Sequence, residues 1–444
     1  MAEAEGATRT IPLVHAVGLV VANMIGTGAF TTTGLLAAEL GNPLWLLGAW
    51  LVGGIVALCG ADVYAELGAT MPRAGGEYVY LSRAFHPCIG FLSGWISLIV
   101  GFSAPIAASA IAFASYLTAV VPFVAPMTAA VALVIVVTAL HMASVRWGTR
   151  VQTFFAGAKV ALVLLFVIAG IIVGRGSFEH FTIGGGPPEP SRLAVALIYV
   201  SFAYSGWNAA AYIAGEMKSP ASDLPRALVG GTVIVVSLYL ALNVVFLYAL
   251  TPQAMAGEVE IADLAARSLF GPTAGSVLSL LIALALVSSV SAMIMAGPRV
   301  YVAMAEDGLF FRPLARRAGS GAPWASVALQ GSIAAVLVVT ATFEQLLVYI
   351  GFTLSVFAAL TVLAAFVLRR REPDTARPYR ARGWPLSPIL FLSLSLWMST
   401  YAIITRPTES LAGLITVALG MVLYWARTRT RSFAGSSAAT RHQE

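Results

Sequence analysis

Three groups of residues in this 444-residue chain have types and spacing that could do chemistry. The first is Ile25-Gly26-Thr27-Gly28-Ala29-Phe30, set inside a long apolar run. Two glycines around a threonine form helix poorly. A helix interrupted there would expose backbone N–H groups and the positive end of a half-helix, which suit a carboxylate. Close helix packing by small residues is the plainer use of such glycines. The second group is Phe202-Ala203-Tyr204-Ser205-Gly206-Trp207-Asn208, where polar, aromatic and glycine residues crowd a second apolar run. Free carbonyls at Phe202, Ala203 and Ser205 would suit an ammonium group, with Phe202 as an aromatic lid and Trp207 and Asn208 beside it. A site offering both ends selects an α-amino acid. The third is Lys159, inside the apolar segment Ala156-Gly157-Ala158-Lys159-Val160. An ammonium at such depth is costly unless paired or deprotonated, and it marks a functional site unless it snorkels to the membrane surface.

Other chemistries find less support. There is no G-x-x-x-x-G-K-[ST] loop and no H-E-x-x-H motif, and Gly184-Gly185-Gly186 runs into prolines. His15 and His141 lie on apolar segments with no partner at metal-ligand spacing, so satisfied buried histidines are expected and no cofactor or metal is implied. An intramembrane hydrolase built on a serine and one of these histidines would also need an oxyanion site, which the sequence does not place. A sensor that binds without transporting would ordinarily carry a signalling domain, and no segment provides one. Asp62, Glu66 and Glu216 are expected at helix ends, paired with loop arginines or forming a gate. No acidic residue falls in the middle of the expected pocket, which argues against dicationic substrates.

The elements that must position these groups follow from composition. Hydrophobic residues make up 59% of the chain and charged ones only 10%, with a mean hydropathy of +0.87. Too few charges remain to build a water-soluble surface. Apolar stretches of roughly 18–25 residues are long enough to span a bilayer as helices. An all-α membrane protein is expected, with twelve transmembrane helices at about 11–37, 43–70, 86–119, 126–144, 149–174, 191–215, 227–250, 274–304, 324–341, 344–368, 387–404 and 409–426. Counted by alternate sides, 21 of the 26 Lys and Arg residues fall with the N-terminus, and only Arg175, Arg192, Arg267 and Arg406 fall opposite. That bias puts both termini in the cytoplasm, and a bacterial inner membrane is the expected location. The bias also makes Arg369–Arg371 a topology anchor, so no nucleic-acid partner is expected. Cys59 and Cys88 are expected as buried reduced thiols. The polar stretch after Arg431 predicts no fixed structure.

The two breaks fall in the first and sixth spans, the first helix of each set of five. Corresponding breaks in two halves point to an inverted-repeat transporter with its site at the midplane. Further segments sharpen this: Tyr64-Ala65-Glu66-Leu67-Gly68, Pro72-Arg73-Ala74-Gly75-Gly76-Glu77-Tyr78-Val79-Tyr80, and Glu216-Met217-Lys218-Ser219-Pro220 with Leu224-Pro225-Arg226-Ala227. Pro298-Arg299 with Asp307-Gly308, and Arg377-Pro378-Tyr379-Arg380, complete the set. In this order, with the two breaks, they resemble the amino acid–polyamine–organocation superfamily, and within it the L-amino-acid-transporter-like branch. The resemblance implies the LeuT-type fold: a segment 1–10, a five-helix repeat over 11–174, a second over 191–370, two more helices over 387–426, and a tail over 427–444. It implies sodium-independent secondary transport of neutral L-amino acids by exchange or proton coupling. Backbone at Ile25, Gly26, Thr27 and Gly28 would hold the carboxylate. The resemblance also implies that Lys159 stands in for a sodium ion, near the Gly26 region and Ser288 and Ser289, as a proton carrier or a fixed tether. Departures at both breaks, Thr27 for the usual serine and Ala29 for the usual isoleucine in the first, and Ser205 where eukaryotic relatives often have a second glycine, lie in the expected pocket and leave specificity open. Animal members join a glycoprotein subunit through a cysteine between the third and fourth helices. The loop 120–125 has none, so no covalent partner is expected.

Overall fold

A computed structural model describes residues 10–73, 75–143, 148–316 and 323–440, with the backbone alone at 148–154, 156 and 429–440. Arg9, Arg146, Arg317 and Arg441 of the charge count, most of segment 1–10, and Ala74 lie outside the described residues. The helices in chain order are α1 (Leu13–Met24), α2 (Thr27–Leu40), α3 (Pro43–Thr70), α4 (Glu77–Ala84), α5 (Pro87–Ile96), α6 (Ala104–Thr118), α7 (Pro126–Ala143), α8 (Gly148–Ile172) and α9 (Pro190–Tyr204). They continue with α10 (Pro220–Ala249), α11 (Pro252–Met255), α12 (Ile261–Phe270), α13 (Pro272–Glu306), α14 (Trp324–Thr340), α15 (Phe343–Arg371), α16 (Leu386–Thr405) and α17 (Pro407–Thr440). Ten helical spans are long and apolar enough to cross a membrane, with α1–α2 and α5–α6 each counting once. The apolar helices over Gly157–Ile172 and Trp324–Thr340 are shorter. Among the described residues, ten of the twelve expected spans are thus long and apolar enough to cross a membrane, and the helices at the other two are shorter.

Side chains such as Ile135, Leu140, Ile168, Val336, Leu396 and Leu419 face outward, as hydrocarbon solvent permits. The fold inverts the soluble rule only on its perimeter. Its interior is packed with small residues that let backbones approach. Within that interior α1 packs on α10, α3 on α9 and α10, α6 on α13, and α2 crosses α9.

Two features escape the hydropathy pattern. The third span is π-helical over Ser97–Ser103 before α6 begins. Pro105 lacks an N–H and its ring would crowd the Gly101 carbonyl, which a widened turn relieves. The last helix runs to Thr440, through the polar stretch after Arg431. That stretch contains no proline to stop it, so composition alone misjudges its backbone.

Candidate functional site at the crossing of two broken helices

The first span breaks at Ile25 and Gly26, whose backbones leave helical geometry (φ −76°, ψ 86° and φ −127°, ψ −148°). The Ile25 and Gly26 amides turn back to the carbonyls of Val21 and Met24, at 2.9 Å each. In this conformation these two amides, expected to hold a carboxylate, are therefore committed to backbone carbonyls. The first amides of α2, at Thr27, Gly28 and Ala29, have no preceding carbonyls of their own helix to bond and no side-chain cap. All three residues are buried. The Thr27 hydroxyl shares a 2.6 Å hydrogen bond with the Ser109 hydroxyl of α6.

The sixth span breaks where expected. Helix α9 ends at Tyr204, four turn residues follow, and a 3₁₀ segment resumes over Ala209–Glu216. The Ser205 amide donates to the Phe202 carbonyl at 2.9 Å, which leaves that oxygen one free lone pair. The carbonyls of Ala203, Tyr204 and Ser205 lie at the negative end of α9, facing no continuing helix. Gly206 has φ +98°, a left-handed conformation that only glycine adopts without strain. A Cβ there would lie 3.0 Å from the carbonyl carbon of Asn23, so the second break presses directly on the end of α1.

The two broken helices meet at Gly28 and Ala203. A Cβ on Gly28 would fall 2.5 Å from Ala203 Cα, while one on Gly26 would meet nothing within 4 Å. The two glycines, alike in the sequence, therefore differ. One is a packing contact and the other borders open space. Phe202 is buried at the same level of α9.

The remaining candidates are placed less centrally. The Trp207 ring lies edge-on to Tyr64 (4.7 Å between centroids) and near Phe391, so its contacts are with α3 and α16. The Asn208 amide donates to the Glu77 carboxylate at 3.0 Å. Lys159 is buried and its Nζ donates to Ser289 Oγ of α13 at 2.6 Å. Ser288 is buried beside it. Among the described residues no hydrogen bond joins Lys159 to the Gly26 region, although α8 packs on α1.

Several residues were missed. Tyr239 of α10 donates its hydroxyl to the Met24 carbonyl at 2.6 Å, fixing the end of α1. It also packs with Trp50 and Tyr204 in an aromatic cluster with centroids 5.3–5.5 Å apart. Tyr116 of α6 donates to the Phe30 carbonyl at 2.6 Å, and Asn243 accepts from Thr33 at 2.6 Å. A polar tip within an otherwise apolar run was the available signal for each. On one side of the crossing Glu39 of α2 binds Arg192 and Arg406, and Arg406 reaches Glu344 at 2.6 Å. On the other, Glu66 pairs with Arg369 and Arg377 as expected. Asp62 instead accepts from the Tyr379 hydroxyl, the Ser387 hydroxyl and the amides of Arg382 and Gly383, with no arginine side chain as partner among the described residues. Glu216 contributes its carbonyl to the amides of Thr10 and Ile11 and no ion pair among the described residues. His141 Nε2 lies 2.8 Å from Ser291 Oγ, with no third group orienting the ring among the described residues. This is a satisfied histidine, without the orienting acid of a hydrolytic triad. The described residues hold no cluster of three metal-binding side chains.

A polytopic helical membrane protein whose first and sixth spans break against one another has the architecture of a small-molecule transporter. The chain belongs to the amino acid permease family of the amino acid–polyamine–organocation superfamily, whose sequence model matches residues 11–426. It is similar to the large neutral amino acids transporter small subunit 2 of Mus musculus, with 29% identity over 435 residues, covering 94% of this chain and 80% of that protein. It is likewise similar to the serine/threonine exchanger SteT of Bacillus subtilis (27% over 438 residues, 97% and 99% covered). A third relative is the Asc-type amino acid transporter 1 of Mus musculus (27% over 432 residues, 94% and 81% covered). Amino acid transport across a membrane is the activity that family and architecture support.

Proposed function

We propose that this protein is a sodium-independent secondary transporter of neutral L-amino acids, working by alternating access, either as an exchanger or coupled to protons. The observation that carries the reading is the antiparallel crossing itself. The open amides of Thr27, Gly28 and Ala29 and the terminal carbonyls of Ala203 to Ser205 converge from opposite helix ends. A zwitterion has one charge for each. Phe202, buried at that crossing, serves as the lid. Gly28 and Ala203 touch in this conformation, so admitting substrate requires α2 and α9 to part.

Neutral specificity rests on the absence of a carboxylate among the residues at the crossing. The relatives are named for large neutral amino acids and for serine and threonine, which agrees with a pocket that reads the α-amino and α-carboxyl groups foremost. Sodium independence rests on the Lys159 ammonium bonded to Ser289. That ammonium between α8 and α13, as a fixed tether or a proton carrier, supplies the charge that a bound sodium ion would otherwise bring there. In membrane terms we take twelve spans arranged as two inverted five-helix repeats plus two, in a bacterial inner membrane with both termini cytoplasmic. The loop 120–125 carries no cysteine, so we take the protein to act without a disulfide-linked subunit. The direct test is uptake into proteoliposomes preloaded with each of the twenty amino acids in turn. Stimulation by neutral amino acids and not by arginine, lysine or glutamate is expected. Binding without any uptake would favour a sensor instead.

A further inference from the structure

The Gly75-Gly76-Glu77 segment takes no part in the site just described, yet it is moulded onto the broken sixth span. Gly75 (φ +120°) and Gly76 (φ +51°) both adopt left-handed conformations. A Cβ on Gly76 would sit 2.8 Å from the Tyr212 ring, and the Gly75 amide donates to the Tyr212 carbonyl at 3.4 Å. This turn delivers Glu77, the first residue of α4, into the protein interior, where it is buried. Its carboxylate accepts from the Tyr64 hydroxyl of α3 at 2.7 Å, the Asn208 amide at 3.0 Å and the Ser93 hydroxyl of α5 at 3.5 Å.

No cation faces it among the described residues. The titratable groups around it are Tyr64 from α3, Tyr80 from its own helix and Tyr212 from the 3₁₀ segment; α5 contributes the Ser93 hydroxyl. The nearby arginines of the packed elements are committed elsewhere: Arg83 to Glu372, Arg369 and Arg377 to Glu66, and Arg371 to the Ala84 carbonyl. Arg73, in the preceding turn, is exposed. Lys159 bonds to Ser289. A buried carboxylate with three neutral donors and no counter-charge is expensive, and it holds its charge only while those donors remain. Burial pushes the Glu77 carboxyl above the usual glutamate range, against the opposing effect of the hydrogen bonds from Tyr64, Asn208 and Ser93. The hydroxyl of Tyr80, fully buried, has no hydrogen-bond partner among the described residues.

One of the three donors, Asn208, lies three residues beyond Ser205, on the segment that must move when α9 and α2 part. We propose that Glu77 is a proton-binding site coupled to the sixth-span break: it is ionised while Asn208 is docked and takes up a proton when that segment withdraws. No covalent bond is made or broken beyond the O–H itself; the proton is taken from and returned to the aqueous phase. The proposal rests on the transport reading and deepens it, since it selects proton coupling as the way the cycle responds to a gradient.

The test uses the full-length protein in proteoliposomes, with labelled L-leucine and L-serine as probes. Two readouts are taken: exchange without a pH gradient, and net uptake into empty vesicles with acid outside. One proton per substrate across a one-unit gradient supports accumulation of about tenfold. The wild type should show acid-driven uptake on that scale. Glu77→Gln should keep exchange within about twofold, since glutamine matches the protonated acid in shape and charge and its amide oxygen can still accept from Tyr64 and Asn208, while its uptake ceases to respond to the gradient. Glu77→Asp, should the glutamine variant not fold, should retain coupling with a displaced pH midpoint. Wild-type gradient response in Glu77→Gln, or an unmoved midpoint in Glu77→Asp, overturns the proposal. So does a wild type that exchanges amino acids with no response to the gradient. A folded wild type that exchanges neither probe would instead remove the transport reading, and the proton site with it.

Discussion

Gly28, in the first turn of α2, lies against Ala203 in the last turn of α9, so close that a Cβ on the glycine would fall 2.5 Å from the alanine Cα. This single contact fixes the distance between the two open helix ends, and it separates the roles of two glycines that look equivalent in the sequence. Gly28→Val should drive the helices apart and cost stability, about 1–3 kcal/mol as for other overpacked interiors. Gly26→Val meets nothing within 4 Å, so the protein should fold and fail to bind substrate. Thermal unfolding in detergent, measured with binding of labelled L-leucine and L-serine, checks both. A stable Gly28→Val that still transports would show that the crossing is looser than described.

Phe202 poses the choice between lid and packing residue. Phe202→Ala in a purely packing role should destabilise by about 3–5 kcal/mol. As a lid, its loss should reduce transport more than it lowers the melting temperature. Unchanged transport in a well-folded variant would take Phe202 out of the site.

The account of Lys159 turns on its bond to Ser289 at 2.6 Å. Replacing external sodium with choline should leave wild-type uptake intact. Lys159→Ala removes the cation and should abolish transport. Lys159→Arg keeps a cation that cannot deprotonate in proteins, so residual exchange there favours a fixed tether over a proton carrier. Collapse of wild-type uptake in choline would mean that a sodium site exists and that the lysine does not replace it.

How far the sequence revealed all this depended on the kind of interaction. The breaks at Gly26 and Gly206 were legible because glycine and polar residues are conspicuous in an apolar run. The Lys159–Ser289 pairing was legible only through family resemblance, since nothing local joins residues 130 positions apart. Tyr239, which holds the Met24 carbonyl across 215 positions, was not legible. A tyrosine in an apolar span announces a polar tip and not its partner. That the Ile25 and Gly26 amides are bonded to carbonyls in this conformation was not legible for a different reason. Helix termini often close on themselves with short backbone turns, and the local geometry decides which N–H groups are spent. Glu77 was quoted only as part of a motif, because burial of a loop carboxylate is a tertiary property.

Titration of Glu77 carries a stability signature as well as a transport one. Its carboxyl lies above the usual glutamate range in the folded protein, so the folded chain binds the proton more tightly than the unfolded chain. The associated stability is fully present below the ordinary value of about 4.3 and is lost as pH rises through the elevated one. Wild-type protein should therefore lose melting temperature relative to Glu77→Gln as pH rises above the ordinary glutamate value. Parallel curves for the two proteins would show that Glu77 does not titrate with a raised pKa.

Recognition of both zwitterion charges at the α2–α9 crossing is tested most directly by competition against exchange of labelled L-leucine and L-serine in proteoliposomes. Competitors should be the parent amino acid, its amide, its N-acetyl derivative and the corresponding decarboxylated amine. Each derivative removes one charge and strands a buried polar group of the site, a loss of about 1–3 kcal/mol or more. The parent should compete fully, and all three derivatives should compete weakly. An amide that competed as well as its parent would contradict the carboxylate cradle at Thr27, Gly28 and Ala29, and with it the account of the site.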